Sequence, residues 1–279
     1  MGSRLIEYGQ QLNTPIWSAE ILMKNPGLIQ SIHTEYIDSG ADIIRTNTFR
    51  TNPYACDQYR SKIDYKHLVK IAVEAAKNAL TNSNKVNLLV AGSNAPASDC
   101  YSKNQQLSSE ELYNNHIKHI STLYETGVDF ILNETFGDHF ELEIAAKICY
   151  ELKIPFAASL LINNENETYH GQNLKSALQN LLMYDPIFVS LNCCHPDSLI
   201  NALPMLADSN PFGVYPNLGT VDSFTKNFLV RDFTESDLTD FTNSVINSGA
   251  SVIGVCCGGN SDDVRLMRRL IDARRDEIH

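Results

Sequence analysis

Residues 127–136 read GVDFILNETF, an apolar run that follows a glycine and ends in the polar residues Asn133, Glu134 and Thr135. A short run that is apolar almost throughout is typical of a β-strand covered on both faces, as in a parallel sheet. Similar stretches recur along the chain, and each predicts a strand. The predicted strands are Ala41–Thr48, Val86–Asn94, Val128–Thr135, Pro155–Ile162, Pro186–Cys193, Phe212–Asn217 and Val252–Cys257.

Segments with helical period separate these strands. Several open with a hydroxyl residue followed by acids, which is typical of a helix N-terminus. Because each strand leads into a helix, the order predicts an α/β fold, a (β/α)8 TIM barrel formed as a single domain by residues 1–279. The predicted helices are Ala19–Ser39, Tyr65–Thr81, Ser108–Thr126, His139–Leu152, Leu174–Met183, Asp197–Ala207, Glu235–Ser248 and Ser261–Glu277.

The first strand of this barrel is missing from the pattern. Met1–Leu5 precede a Gly/Gln/Asn-rich stretch and the first helix directly, so no room remains for a full strand. We therefore expect the first-strand position to be unpaired or substituted, with the flanking strands exposed or covered by another chain. Eight complete strands within residues 1–279 would contradict this expectation.

The composition restricts the class of partner. The chain has 279 residues, of which 43% are hydrophobic, and a net charge of −11, which disfavours nucleic acid or an acidic membrane as a partner. No apolar run approaches the roughly 20 residues that cross a bilayer, and no signal-peptide stretch opens the sequence. We expect a soluble, cytoplasmic protein, and a homo-oligomer remains open. Seven cysteines without disulfide-like spacing favour metal binding or catalysis.

Three of the cysteines stand at predicted strand ends, where a barrel of this kind carries its active site. Cys193 ends one strand, and Cys256 and Cys257 end another. Three thiolates with one open position suit a catalytic zinc ion. Adjacent strand residues point to opposite faces, so Cys256 and Cys257 can share one ion only if Gly258-Gly259 permits a local distortion. The alternative interpretation is two core cysteines before a flexible turn.

The polar strand ends occur in an order that resembles the homocysteine S-methyltransferase family, and the resemblance covers almost the whole chain. No single block is decisive, but the ordered series ending in a double cysteine is specific. The blocks are Met1–Leu5 (MGSRL), Ile16–Ala19 (IWSA), Gly40–Phe49 (GADIIRTNTF), Gly92–Pro96 (GSNAP), Gly127–Phe136 (GVDFILNETF), Asn192-Cys193, Tyr215–Gly219 (YPNLG) and Gly249–Gly258 (GASVIGVCCG).

The resemblance implies transfer of a methyl group to the thiol of homocysteine by an enzyme with zinc bound to Cys193, Cys256 and Cys257. It assigns the ligand to the cysteine directly after Asn192, so we interpret Cys194 as a neighbour that could substitute for Cys193. His195 is a ligand by residue type, but its position before Pro196 favours a surface loop.

The same resemblance implies roles in substrate binding. Glu134 would bind the ammonium group of homocysteine, and Asn217 resembles a residue that can occupy the fourth position of the zinc before substrate arrives. Backbone amides around Gly2 and Ser3 would hold the substrate carboxylate, because amides at a turn bind anions readily. Asn47-Thr48, at another strand end, are further candidate substrate contacts.

The sequence departs from the family pattern in two places. The opening Asp-Gly, a second anchor for the amino group, is not found, and the double-cysteine block carries Val255 where Gly is usual and Gly259-Asn260 where Thr or Ser is usual. The chain is too short for folate and cobalamin modules, and Phe136 differs from the pattern of betaine-specific relatives. S-methylmethionine or S-adenosylmethionine is therefore the expected methyl donor.

Two other classes of function compete with this prediction. A metal-independent lyase or aldolase would use Glu134 as a general base and would need a lysine at a strand end, and no predicted strand end carries one. A barrel of the same family that binds zinc or thiols but has lost or altered its activity is the non-enzymatic alternative. Metal content tests the first, and a transfer assay with homocysteine tests the second.

Overall fold

A single sheet of seven parallel strands forms the centre of the computed structural model, which describes residues 1–59, 62–103, 107–209, 211–221, 229–231 and 233–278. All seven predicted strands are present. A separate antiparallel pair, β7 and β8, lies between the sixth and seventh of them in the sequence. The strands are β1 (Ile43–Arg45), β2 (Leu89–Asn94), β3 (Phe130–Phe136), β4 (Phe156–Leu160), β5 (Val189–Asn192), β6 (Phe212–Tyr215), β7 (Thr220–Val221), β8 (Leu229–Val230) and β9 (Val252–Ile253).

Helices follow the strands as predicted, with two additions and one division. The predicted helix Ala19–Ser39 is wrong as one element: it divides before Pro26, because proline lacks an N–H and disfavours helical backbone at Asn25. The additions, α1 and α4, are each six residues or fewer. The helices are α1 (Gly2–Glu7), α2 (Glu20–Lys24), α3 (Pro26–Asp38), α4 (Pro53–Asp57), α5 (Tyr65–Thr81), α6 (Ser109–Glu125), α7 (His139–Leu152), α8 (Leu174–Leu182), α9 (Pro196–Ala207), α10 (Glu235–Asn247) and α11 (Ser261–Ile278).

The sheet is covered on both faces, as its apolar strands predict. Every residue of β3, β4 and β5 is buried. Along β3, Ile131 packs in the cluster beneath the helices, whereas Phe130 and Leu132 pack in a second cluster inside the barrel. The strands therefore separate an outer core from an inner one, and polar groups collect where the inner core ends.

The sheet does not close into a complete barrel, which confirms the predicted absence of a first strand. Within the residues that the structure describes, β1 pairs only with β2, and β9 pairs only with β6. Side chains bridge the gap instead: Arg45 Nη2 donates to the Val255 carbonyl at 3.2 Å, and Tyr36 Oη to the Gly259 carbonyl at 3.2 Å. On the outside of the gap, Arg268 of α11 pairs at 2.9 Å with Asp42, the residue before β1.

The predicted strands at both edges of the gap were too long. β1 has three residues where Ala41–Thr48 were predicted, and β9 has two where Val252–Cys257 were predicted. Beyond Ile253 the chain turns toward β6, since the Cys256 N–H donates to the Pro216 carbonyl at 2.8 Å. The polar residues that follow β1 and the cysteines that follow β9 thus lie on turns beyond the paired strands. None of the described helices is both long and apolar enough to span a bilayer.

Two buried histidines are expected to make stability depend on pH. Burial lowers the pKa of His33 and of His119 to about 3, whereas an unfolded histidine titrates near 6.5. Between these values the unfolded chain binds more protons, so the free energy of unfolding falls as the pH drops below 6.5. The expected loss from pH 7 to pH 5 is about 2 kcal/mol for each histidine.

Urea unfolding at pH 7 and pH 5 measures this loss. His33 Nε2 has no hydrogen-bond partner among the described residues, so His33→Leu removes the titrating group without breaking a contact of that atom. The variant should lose about 2 kcal/mol less than the unchanged protein over this interval. An equal loss in the two proteins would contradict the assignment to His33.

Candidate metal centre

Three cysteine side chains from two strand ends meet at one end of the barrel. The Sγ atoms of Cys193, Cys256 and Cys257 all lie within 4.8 Å of one another, and those of Cys193 and Cys257 are 3.7 Å apart. Cys193 is buried and the other two are partly exposed. The structure thus brings together the three predicted ligands in a geometry that could hold a metal ion.

Cys193 reaches the cluster through an unusual backbone conformation. It follows β5 directly and has φ +58°, in the left-handed region that non-glycine residues seldom adopt. Its N–H donates to the Tyr215 carbonyl at 3.1 Å. The change of backbone direction at the end of β5 points Cys193 and the adjacent Cys194 to different surroundings: Cys194 Sγ accepts from the Ile162 N–H at 3.3 Å.

Cys256 and Cys257 lie in a turn after β9, so the alternation of strand residues does not separate them. The turn is packed against the segment after β6: the Leu218 N–H donates to the Cys257 carbonyl at 2.7 Å. Gly258 has φ +78°, and a Cβ there would lie 2.5 Å from the Gly219 nitrogen. The predicted need for backbone freedom after the pair is therefore met at Gly258.

Asn217 joins the two cysteine-bearing segments. Its Nδ2 donates to the Cys193 carbonyl at 2.9 Å, and its Oδ1 accepts from the Cys257 N–H at 3.2 Å. One amide therefore fixes the distance between the end of β5 and the turn after β9. This gives Asn217 a positioning role in the cluster, beside its predicted role as an occupant of the fourth metal position.

Hydrogen bonds within the cluster favour one ionised thiol. Contacts from Cys193 and Cys257, together with the positive charge of Arg45, hold the pKa of Cys256 well below its ordinary value. The same contact to Cys256, and burial, raise the pKa of Cys193. Cys256 is therefore the thiol of the cluster whose ionisation its surroundings favour.

Glu134 lines the same cavity as the cysteines, at a bulge in β3. The register with β4 shifts between Asn133 and Phe136, and Thr135 has φ +65°. The Asn192 side chain compensates this irregularity: its Oδ1 accepts from the Thr135 N–H at 2.9 Å, and its Nδ2 donates to Thr135 Oγ1 at 2.7 Å. Bulges redirect side chains, and here the bulge lies at the carboxylate predicted to bind substrate.

Both carboxylate oxygens of Glu134 have partners in the protein. Oε2 forms an ion pair with Arg45 Nη1 at 2.5 Å, and Oε1 accepts from Ser93 Oγ at 2.5 Å. The side chain is only 4% exposed. The charge of the predicted ammonium ligand is therefore already compensated by a partly buried cation, which the sequence did not predict.

A cavity of about 1040 Å³ joins the cysteine cluster, Glu134 and the gap in the sheet. Thr48 is not among the lining residues that the structure describes: its hydroxyl contacts Thr46 Oγ1 and donates to the Ser93 carbonyl at 2.7 Å. Asn47 reaches the cavity, but its amide is held by Ser18. The predicted site residues that line the cavity are Gly2, Ser3, Asn47, Glu134, Cys193, Asn217, Cys256 and Cys257.

Two side chains that contact predicted site residues were not predicted from the sequence. Tyr101, in the segment after β2, places its hydroxyl 3.3 Å from Cys193 Sγ, and no spacing or pattern marks this tyrosine. A partner for Arg45 could have been predicted, because a charged residue at the end of an apolar strand needs a compensating partner where it is partly buried. Both residues line the cavity.

Comparison with known proteins identifies the group of enzymes to which this arrangement belongs. Residues 1–271 match the model of the homocysteine S-methyltransferase family. The chain belongs to this family. Homocysteine S-methyltransferase 1 of Arabidopsis thaliana is 27% identical over 96% of this chain and 90% of that protein. The homocysteine S-methyltransferase of Escherichia coli is 26% identical over 96% of this chain and 92% of its own length.

A solved structure shows that the likeness extends to the fold. The metallated form of the homocysteine methyltransferase MmuM from Escherichia coli superposes with a TM-score of 0.81, covering 96% of this chain and 93% of that one at 24% identity. Family membership confirms the predicted enzyme class, a methyltransferase that acts on homocysteine, and the predicted barrel. The lyase or aldolase alternative is set aside by the same finding.

Proposed function

We propose that this member of the homocysteine S-methyltransferase family transfers a methyl group from a sulfonium donor, S-methylmethionine or S-adenosylmethionine, to the thiol of homocysteine. We propose further that Cys193, Cys256 and Cys257 bind the zinc ion used in this reaction. The observation that carries the proposal is the convergence of three thiols, from two segments far apart in sequence, on the same cavity as Glu134.

The donor atoms fit zinc. Thiolates are soft ligands that select zinc over magnesium or calcium, and three protein ligands leave a fourth position open. Two sulfurs bound to one tetrahedral zinc at about 2.3 Å lie about 3.8 Å apart, and the Sγ atoms of Cys193 and Cys257 are 3.7 Å apart. Little rearrangement is needed for these thiols to share one ion.

The reaction forms one carbon–sulfur bond and breaks another. Zinc, when bound, lowers the pKa of a thiol that joins its ligands and so supplies a thiolate nucleophile at neutral pH. The acceptor sulfur attacks the methyl carbon of the sulfonium in line, the bond from that carbon to the donor sulfur breaks, and a neutral thioether leaves. The proton of the acceptor thiol passes to solvent.

The chain's own residues hold the reactants. Asn217 fixes the spacing of the two cysteine segments through Cys193 and Cys257, and it would occupy the open position before substrate binds. Glu134 is proposed to contact the acceptor ammonium, and backbone amides of Gly2 and Ser3, both at the cavity wall, its carboxylate. Enclosure of the two substrates in the cavity would orient them and exclude water.

A transfer assay on protein of known zinc content tests the proposal. With isotopically labelled homocysteine, we expect labelled methionine to form with S-methylmethionine or S-adenosylmethionine and not with betaine. The label is needed because demethylated S-methylmethionine is itself methionine. Zinc-loaded protein that forms no labelled methionine with either sulfonium donor would favour the alternative, a family member with lost or altered activity.

A further inference from the structure

Arg45 is held at the inner end of β1 by contacts on three sides. Its Nη1 pairs with Glu134 Oε2 at 2.5 Å, and its Nη2 donates to the carbonyl of Val255 at 3.2 Å. Its guanidinium carbon lies 5.0 Å from the centre of the Tyr215 ring. Since Val255 immediately precedes Cys256, these contacts fix a positive charge beside the cysteine cluster.

The two members of this ion pair differ in their access to the cavity. The Arg45 side chain is 31% exposed, and that of Glu134 is 4% exposed, while both line the same cavity. A guanidinium has five N–H groups, and Glu134 and the Val255 carbonyl each accept one of them. Arg45 therefore retains donors for a further anion and exposes them to the cavity, whereas Glu134, whose oxygens each accept one bond already, is almost fully enclosed.

We propose that Arg45, beside the backbone amides of Gly2 and Ser3, binds the carboxylate of the thiol acceptor, so that the protein selects thiols for their carboxylate more than for their α-ammonium. The inference rests on the proposed function and names its specificity-determining residue. A guanidinium matches a carboxylate with paired, charge-assisted hydrogen bonds. Because Arg45 already compensates the charge of Glu134, an added ammonium gains less from that carboxylate than it would from an unpaired one.

Three acceptors test the proposal on the unchanged protein. Homocysteine is compared with 4-mercaptobutyrate, the same chain without the ammonium, and with 3-aminopropanethiol, the same chain without the carboxylate. Loss of the carboxylate should lower kcat/KM, and the affinity measured by calorimetry, about 10- to 100-fold, and loss of the ammonium should cost less. An ammonium loss that costs as much as the carboxylate loss would overturn the proposal.

Variants assign the preference to Arg45. Arg45→Gln should reduce the preference for 4-mercaptobutyrate over 3-aminopropanethiol about 10- to 100-fold, because the carboxylate partner is removed and Glu134 is released. Arg268→Gln is the matched control: it removes another cavity-lining arginine, one that pairs with Asp42 and Asp272, and should leave the preference unchanged. An unchanged preference in Arg45→Gln overturns the assignment. If that variant fails to fold, Arg45→Lys takes its place, because it keeps the charge that compensates Glu134 but loses the paired donors, and it should reduce the preference in the same direction.

Acceptor binding and methyl transfer, measured separately, distinguish this inference from the proposed function. A carboxylate preference in binding, seen by calorimetry without any methyl transfer, would support the role of Arg45 and contradict the proposed reaction. Methylation of homocysteine with a preference set by the ammonium would support the reaction and overturn the role of Arg45.

Discussion

Cys256→Ser is expected to lower zinc affinity by more than about 100-fold and to abolish methyl transfer. Changes to residues that merely support a metal ligand cost about 10- to 100-fold in affinity, and Cys256 is one of three thiols that would contact the ion directly. A serine hydroxyl does not ionise near neutral pH, so it cannot replace the thiolate. Zinc content after purification, and competition with a chelator, measure the loss.

Cys194→Ser is the matched control for this substitution. Cys194 is buried and adjoins Cys193, yet its Sγ contacts the Ile162 N–H and the Asn192 carbonyl and takes no part in the cluster. A hydroxyl can keep both contacts, so the control should retain zinc and activity. Zinc retained at full stoichiometry by Cys256→Ser would refute the proposed ligand set, as would zinc lost from the Cys194 variant alone.

Gly258→Ala is expected to destabilise the protein by about 2–5 kcal/mol and to weaken metal binding. An added Cβ would meet the backbone of Gly219 at 2.5 Å, and the residue has φ +78°. The turn cannot move away cheaply, because Ser3 Oγ accepts from the Gly258 N–H at 2.8 Å. Displacement of the turn would carry Cys257 away from Cys193.

Gly249→Ala separates the two causes of this loss. Gly249 has φ +85°, and a Cβ there would meet nothing within 4 Å, so only the conformational cost of about 1–2 kcal/mol is expected. Urea unfolding of both variants, with zinc affinity measured alongside, gives the comparison. If the two alanines cost the same, the close approach at Gly258 contributes nothing.

Most of the barrel could be predicted because its strands are apolar throughout and its helices begin with capping residues. The meeting of Cys193 with Cys256 and Cys257 was also predictable, since the C-terminal ends of parallel strands lie at one end of the barrel. The exact ends of β1 and β9 could not be predicted. A polar residue that follows an apolar strand can still pair with the neighbouring strand or can begin a turn, and its residue type does not distinguish the two. Contacts with the neighbouring segment decide which occurs.

The parts of the site that escaped prediction depend on distant partners. The pairing of Arg45 with Glu134 joins β1 to β3, two strands apart, and requires the curvature of the sheet. Tyr101 reaches Cys193 from an irregular segment whose path no periodicity describes. Asn47 and Thr48 are both polar residues that follow β1, and the sequence does not distinguish them. Hydrogen bonds hold the hydroxyl of Thr48 away from the cavity.

The incomplete ring of strands has a consequence for motion. In a closed barrel every strand pairs with two neighbours, whereas in the described structure β1 and β9 each pair with one. Elements with fewer backbone hydrogen bonds open at a lower free energy. Ile43 and Val252, on opposite sides of this break, both line the cavity. We therefore expect local opening to be concentrated along this break, whereas the backbone hydrogen bonds of Cys193 to Tyr215 and of Cys256 to Pro216 hold the cysteine-bearing turns.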